Sequence, residues 1–120
     1  MIQEERDVTV LSEYWVVEIG CRQAWPFLTF RHDASDREVR LYIDSDVRVM
    51  GASDETFDQE DDELLRALGQ VLNSTVGSAE VTETARLVIR MLDGVVLEVS
   101  GTDNSITTTA PWWFGLVSGA

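Results

Sequence analysis

There is no lysine in this chain. Its 9 basic residues are all arginine, set against 22 aspartates and glutamates, for a formal net charge of −13. A surface so unbalanced repels nucleic acid and anionic membrane, and its field draws in a basic protein or a cation. The same acids also keep a small domain soluble. Cysteine and histidine are nearly missing, with Cys21 and His32 the only examples. One cysteine closes no internal disulfide, so a reducing cytoplasm is the expected compartment, and the sequon at Asn73-Ser74-Thr75 is then read as accidental. One thiol and one imidazole cannot supply the three or four ligands of a zinc site. No apolar run approaches the roughly 20 residues that span a bilayer. The charged start MIQEERDV lacks the apolar region of a secretory signal. A Gly-rich phosphate loop, G-x-S-x-G, a dinucleotide fingerprint and a basic patch interleaved with aromatics are all missing. What these absences leave is one domain, residues 1–120, with no visible catalytic constellation and no implied cofactor.

What is present is alternation. LTFRHDASDREVRLYI (28–43) and LVIRMLDGVVLEV (87–99) both place apolar residues at every second position around a polar turn. That period marks strands with one buried face. Aligned at Leu28 and Leu87, Arg31 falls on Arg90, and Val39, Leu41 and Ile43 fall on Val95, Leu97 and Val99. Asp93-Gly94 predicts a two-residue type I′ hairpin. A further strand-like stretch precedes each hairpin, at 13–21 and at 74–81. The expected fold is therefore α+β and mostly β: two antiparallel three-stranded meanders, about 13–50 and 74–109, flanking one helix at about 59–72. Leu64, Leu65, Leu68, Val71 and Leu72 form the helix's apolar stripe, and Thr56 with Gln59 is spaced as a capping box. The strands either join into one sheet or curl toward a barrel, and an unpaired edge makes a homodimer an available outcome.

The stretches LLRALGQVLNSTVGSAEV and RLVIRMLDGVVLEVS, followed by a short polar run ending in APWWF, resemble an uncharacterised family of small, mostly actinobacterial proteins built from two β-meander units. The resemblance covers about 60–114 closely and 15–50 loosely. It implies a fold and carries over no activity or site residue.

Local chemistry narrows further. With a hairpin turning near 23–25, His32 pairs near Val16, roughly 17 Å along the strand from Cys21, too far for a thiol–imidazole dyad. Asp44, Asp46 and Glu55 match three positions of a calcium loop, but Arg48 and Val49 occupy positions that need an oxygen donor and a glycine. The acidic run 54–63 reads as a solvated helix start rather than a cation cage. Arg31, Arg40, Tyr42, Arg86, Arg90 and Glu98 alternate with core positions and should line the opposite sheet face, which Phe27, Val88 and Val96 share. Trp112 and Trp113 are neighbours that point in opposite directions if extended. One should cap the core and the other should be partly exposed.

Three functions follow. The first is a non-catalytic acidic module that binds a basic protein partner, as an immunity or antitoxin-like protector does. The second is a small-ligand or enzymatic domain using the Arg/Tyr-lined face. The third is a structural subunit that self-assembles. The expected partner contacts are Trp112, Trp113, Arg31, Tyr42 and Arg90.

Overall fold

Hydrophobic alternation becomes two antiparallel sheets in the computed structural model, which describes residues 5–51 and 54–118. After a 3-10 segment at Glu5–Leu11 come strands β1 (Trp15–Arg22), β2 (Trp25–His32) and β3 (Arg37–Ile43). They continue as β4 (Val47–Met50) and β5 (Glu55–Phe57). A helix, α1 (Leu64–Leu68), runs into a 3-10 turn at Gly69–Val71. The chain ends with β6 (Val76–Val81), β7 (Leu87–Met91), β8 (Val96–Val99) and β9 (Trp112–Ser118). The first sheet has the order β1-β2-β3-β9 and the second β5-β4-β8-β7-β6. The fold is mostly β, with one short helix. No helix among the described residues is long and apolar enough to cross a membrane.

Several expectations change in detail. The stretch 13–50 does not stay in one sheet. After Ile43 the chain turns at Asp44-Ser45-Asp46, and β4 enters the second sheet between β5 and β8. Neither β5 nor β9 was legible as a strand. Sequentially neighbouring strands pair in β1-β2-β3 and in β6-β7-β8, yet the registers of the aligned hairpins differ. Leu28 faces Leu41, whereas Leu87 faces Val99, the position aligned with Ile43. The β7–β8 connection is not a two-residue type I′ turn. Gly94 N donates to Met91 O at 3.1 Å and Met91 N to Val95 O at 2.9 Å. This closes a three-residue loop in which only Gly94, at φ 100°, needs the left-handed region.

The helix is also shorter than its apolar pattern suggests. Asp58 and Asp61 each accept a hydrogen bond from the backbone N–H two residues on, at Glu60 (2.8 Å) and Glu63 (2.9 Å). These local turns compete with helical hydrogen bonding. Thr56 lies in β5 opposite Arg48, and Gln59 is buried elsewhere, so the expected capping box does not form. Of the predicted stripe, Leu64, Leu68 and Val71 enter the core, while Leu65 and Leu72 stay 38% and 39% exposed.

One core serves both sheets. Val16, Leu28, Phe30, Leu41 and Ile43 meet Val47, Val49, Leu87, Ile89, Leu97 and Val99 in a single cluster, closed by Leu64, Leu68, Trp112 and Phe114. Trp15 and Thr75 form a bridge that joins the sheets along β1 and β6. Val16 N donates to Ser74 O at 3.0 Å and Val76 N to Tyr14 O at 2.8 Å across this seam. Backbone hydrogen bonds thus join the two sheets on that side.

Candidate functional site

The outer face of the first sheet is built in rows. Gly20, Phe27, Tyr42 and Trp113 are cross-strand neighbours. The Tyr42 and Trp113 rings stack at 5.5 Å, and Trp25 meets Trp113 edge-on at 4.9 Å. A Cβ on Gly20 would lie 2.8 Å from the Phe27 ring, so the glycine makes room for it. In the next row Arg40 bridges Glu18 (3.1 Å) and Thr29 (3.0 Å), with its guanidinium 4.1 Å from the Phe27 ring centroid. Arg31 is gripped by three carboxylates, Asp33 and Glu38 at 3.2 Å and Asp36 closer still. Hydrogen bonds to Asp36, then Glu38 and Asp33, raise its pKa above the ordinary arginine value and keep it a cation.

This packing separates the sequence-predicted contacts. Trp112 points inward, 1% exposed, and donates its indole N–H to Ala85 O at 2.9 Å. The alternation of the two indoles is as expected, but Trp113 is 5% exposed instead of partly open, because Tyr42 and Trp25 cover it. Tyr42 is half-buried in this cluster. Arg90 lies on the other sheet, paired with Glu80 at 3.3 Å. Arg31 and Tyr42 therefore share a face that Arg90 does not.

Cys21 and His32 lie at opposite ends of the β1–β2 hairpin. Cys21 faces Pro26, and His32 stacks on Tyr14 with ring centroids 4.9 Å apart. The turn is at Gln23-Ala24, so Val16 pairs with Phe30 rather than near His32. The thiol and imidazole are then about 20 Å apart along the strand. Among the described residues no three His, Cys, Asp or Glu side chains are grouped to hold a metal ion.

The sequence reading missed a buried polar network at the corner between β3 and β4. Asp44 is 2% exposed and Gln59 4%. Asp44 Oδ2 accepts from Thr108 N (2.8 Å), Thr109 N (3.2 Å) and Thr108 Oγ1 (3.1 Å), while Oδ1 accepts from Gln59 Nε2 (3.0 Å). Gln59 and Asn104 exchange two hydrogen bonds, at 2.7 and 3.1 Å, and Asn104 Nδ2 also donates to Asp46 at 2.9 Å. No arginine pairs with Asp44 among the described residues; backbone and amide donors satisfy the carboxylate instead. The only hint in the sequence was Gln59 itself, an uncharged residue inside an acidic run.

The network has a structural consequence. Gln59 anchors the segment carrying Asp58, Glu60, Asp61, Asp62 and Glu63, all of them exposed. A separate cleft of about 210 Å³ opens on the outer face of the second sheet, lined by Asp46, Arg48, Thr56, Arg86, Glu98 and Ser100. It holds none of Arg31, Tyr42 or Arg90. Compared with family models, curated proteins and solved structures, the chain has no match.

Proposed function

We propose that this chain is a non-catalytic acidic module that binds a basic protein, in the manner of an immunity or antitoxin-like protector acting in the cytoplasm. The observation that carries the reading is the anchored acidic segment. Five exposed carboxylates at positions 58 and 60–63 ride on a backbone pinned by buried Gln59. A held segment loses less entropy on binding than a free acidic tail. Arginine does little to offset these acids, since Arg31, Arg40, Arg86 and Arg90 each pair with carboxylates elsewhere. Among the described residues Arg66 is the one arginine paired with the segment, at 3.5 Å from Glu63 and exposed. In this reading Arg31, Tyr42 and Trp113 build the outer face of the first sheet, and the two meanders are a repeated unit whose hairpin registers have drifted apart.

The test is capture from the native host at low salt, with the full chain as bait, followed by calorimetry on the purified pair. The expected partner is basic, and its affinity falls about tenfold or more between ~50 and ~200 mM salt. An acidic partner, or an association indifferent to salt, rejects the proposal.

A further inference from the structure

The geometry points to a second binding site: we propose that the cleft on the outer face of the second sheet takes a small zwitterion of the free amino acid class, with its carboxylate on Arg48 and Arg86 and its ammonium on Asp46 and Glu98. Two rows of side chains build the cleft. Thr56, Arg48 and Glu98 are cross-strand neighbours on β5, β4 and β8. Beside them Asp46 and Ser100 are joined through Ser100 N to Asp46 O at 2.9 Å. Arg48 sits directly opposite Glu98, a pairing that ordinarily closes into an ion pair. Here Glu98 leans to Arg86 at 3.7 Å, and Arg48 makes no ion pair among the described residues. Asp46 is held in place by Asn104 at 2.9 Å, so one anionic group is oriented before any ligand arrives.

The charges select the ligand. Two guanidinium groups and two carboxylates sum to zero within the cleft, so an ion of one sign meets a like charge wherever it gains an opposite one. A free anion is also opposed by the field of a chain carrying −13. A zwitterion carries no net charge against that field, and each of its ends can turn to the pair of groups of opposite sign. The volume, about 210 Å³, is below that of drug-sized pockets and suits a small polar molecule. Thr56 and Ser100 add hydroxyls at the wall.

The experiment follows the side-chain Nε–H resonances of Arg48 and Arg86 in the full chain during titration with L-alanine, propionate and ethylammonium. Saturable shifts with alanine are expected, with propionate and ethylammonium each weaker by about tenfold or more. Arg48→Met should weaken alanine by a similar factor, while Arg37→Gln, on the other sheet, leaves it unchanged. Glu98→Gln gives a second route should Arg48→Met fail to fold, and should lose alanine while binding propionate better. Absence of shifts at both arginines, or equal binding of alanine and propionate, overturns the assignment.

Discussion

Gln59 shows how one side chain can set the position of a whole segment. Its neighbours Asp58 and Glu60 are exposed, yet Gln59 is 4% exposed and its amide touches both Asp44 and Asn104. Replacing it with leucine keeps the bulk and removes every hydrogen bond. Asp44 Oδ1 then loses its donor while remaining buried, and an unsatisfied buried charged acceptor is expensive. Gln59→Leu should therefore destabilise the fold by about 3 kcal/mol in urea unfolding. Because Gln59 and Asn104 bond reciprocally, at 2.7 and 3.1 Å, the double variant Gln59→Leu/Asn104→Leu should cost clearly less than the two single losses added together. Additive losses would mean that the two amides act independently. Gly101 belongs to the same corner: a Cβ there would sit 2.2 Å from the Ala85 carbonyl carbon, so only glycine lets the loop before β9 pass that backbone.

Among the elements, the helix separates what pattern reveals from what it conceals. An apolar stripe says that one face is buried, but not where the helix begins. Leu64→Ala and Leu68→Ala, at 1% and 0% exposure, should each cost about 3 kcal/mol. Leu65→Ala and Leu72→Ala should change stability by about 0.5 kcal/mol or less, as thermal or urea unfolding will show. Equal losses at all four positions would restore the longer helix. The strands were legible for a related reason. A period of two over 28–43 and 87–99 sorts Leu28, Phe30, Leu41 and Ile43, and likewise Leu87, Ile89, Leu97 and Val99, into the core with no need of tertiary information. What resisted reading depends on distant partners. β5 has three residues and exists because β4 pairs with it. β9 is specified by its docking on β3, and Asp44 Oδ2 is satisfied by donors more than 60 residues away. One of the two neighbouring indoles was expected to be partly exposed because alternation gives a side chain's direction; the outward one, Trp113, is instead covered. Its cover, Tyr42 and Trp25, comes from two other strands.

For the whole molecule, the question is whether its acidity is general or placed. A formal charge of −13 on 120 residues disfavours the compact state by self-repulsion, and salt screens that repulsion over about 10 Å at 0.1 M. The melting temperature should accordingly rise as salt is raised from ~20 to ~500 mM. The anchored segment sharpens the test, because four consecutive acids at 60–63 repel one another where, among the described residues, only Arg66 offers an ion-pair partner, at 3.5 Å and exposed. The variant Glu60→Gln/Asp61→Asn/Asp62→Asn/Glu63→Gln removes four negative charges. It retains an amide oxygen at position 61 to accept from the backbone N–H at 63, the bond that Asp61 makes at 2.9 Å. Repulsion relieved across the run outweighs the loss of one exposed i,i+3 pair, worth about 0.3 kcal/mol, and of a dipole contribution that a five-residue helix keeps small. The variant should melt no lower than the parent at low salt, respond less to added salt, and lose affinity for the basic partner. Stability unharmed together with binding lost is the signature of acids kept for contact. A variant that melts several degrees lower at low salt would instead make these carboxylates part of what holds the segment folded, and the case for a placed binding surface would lose its ground.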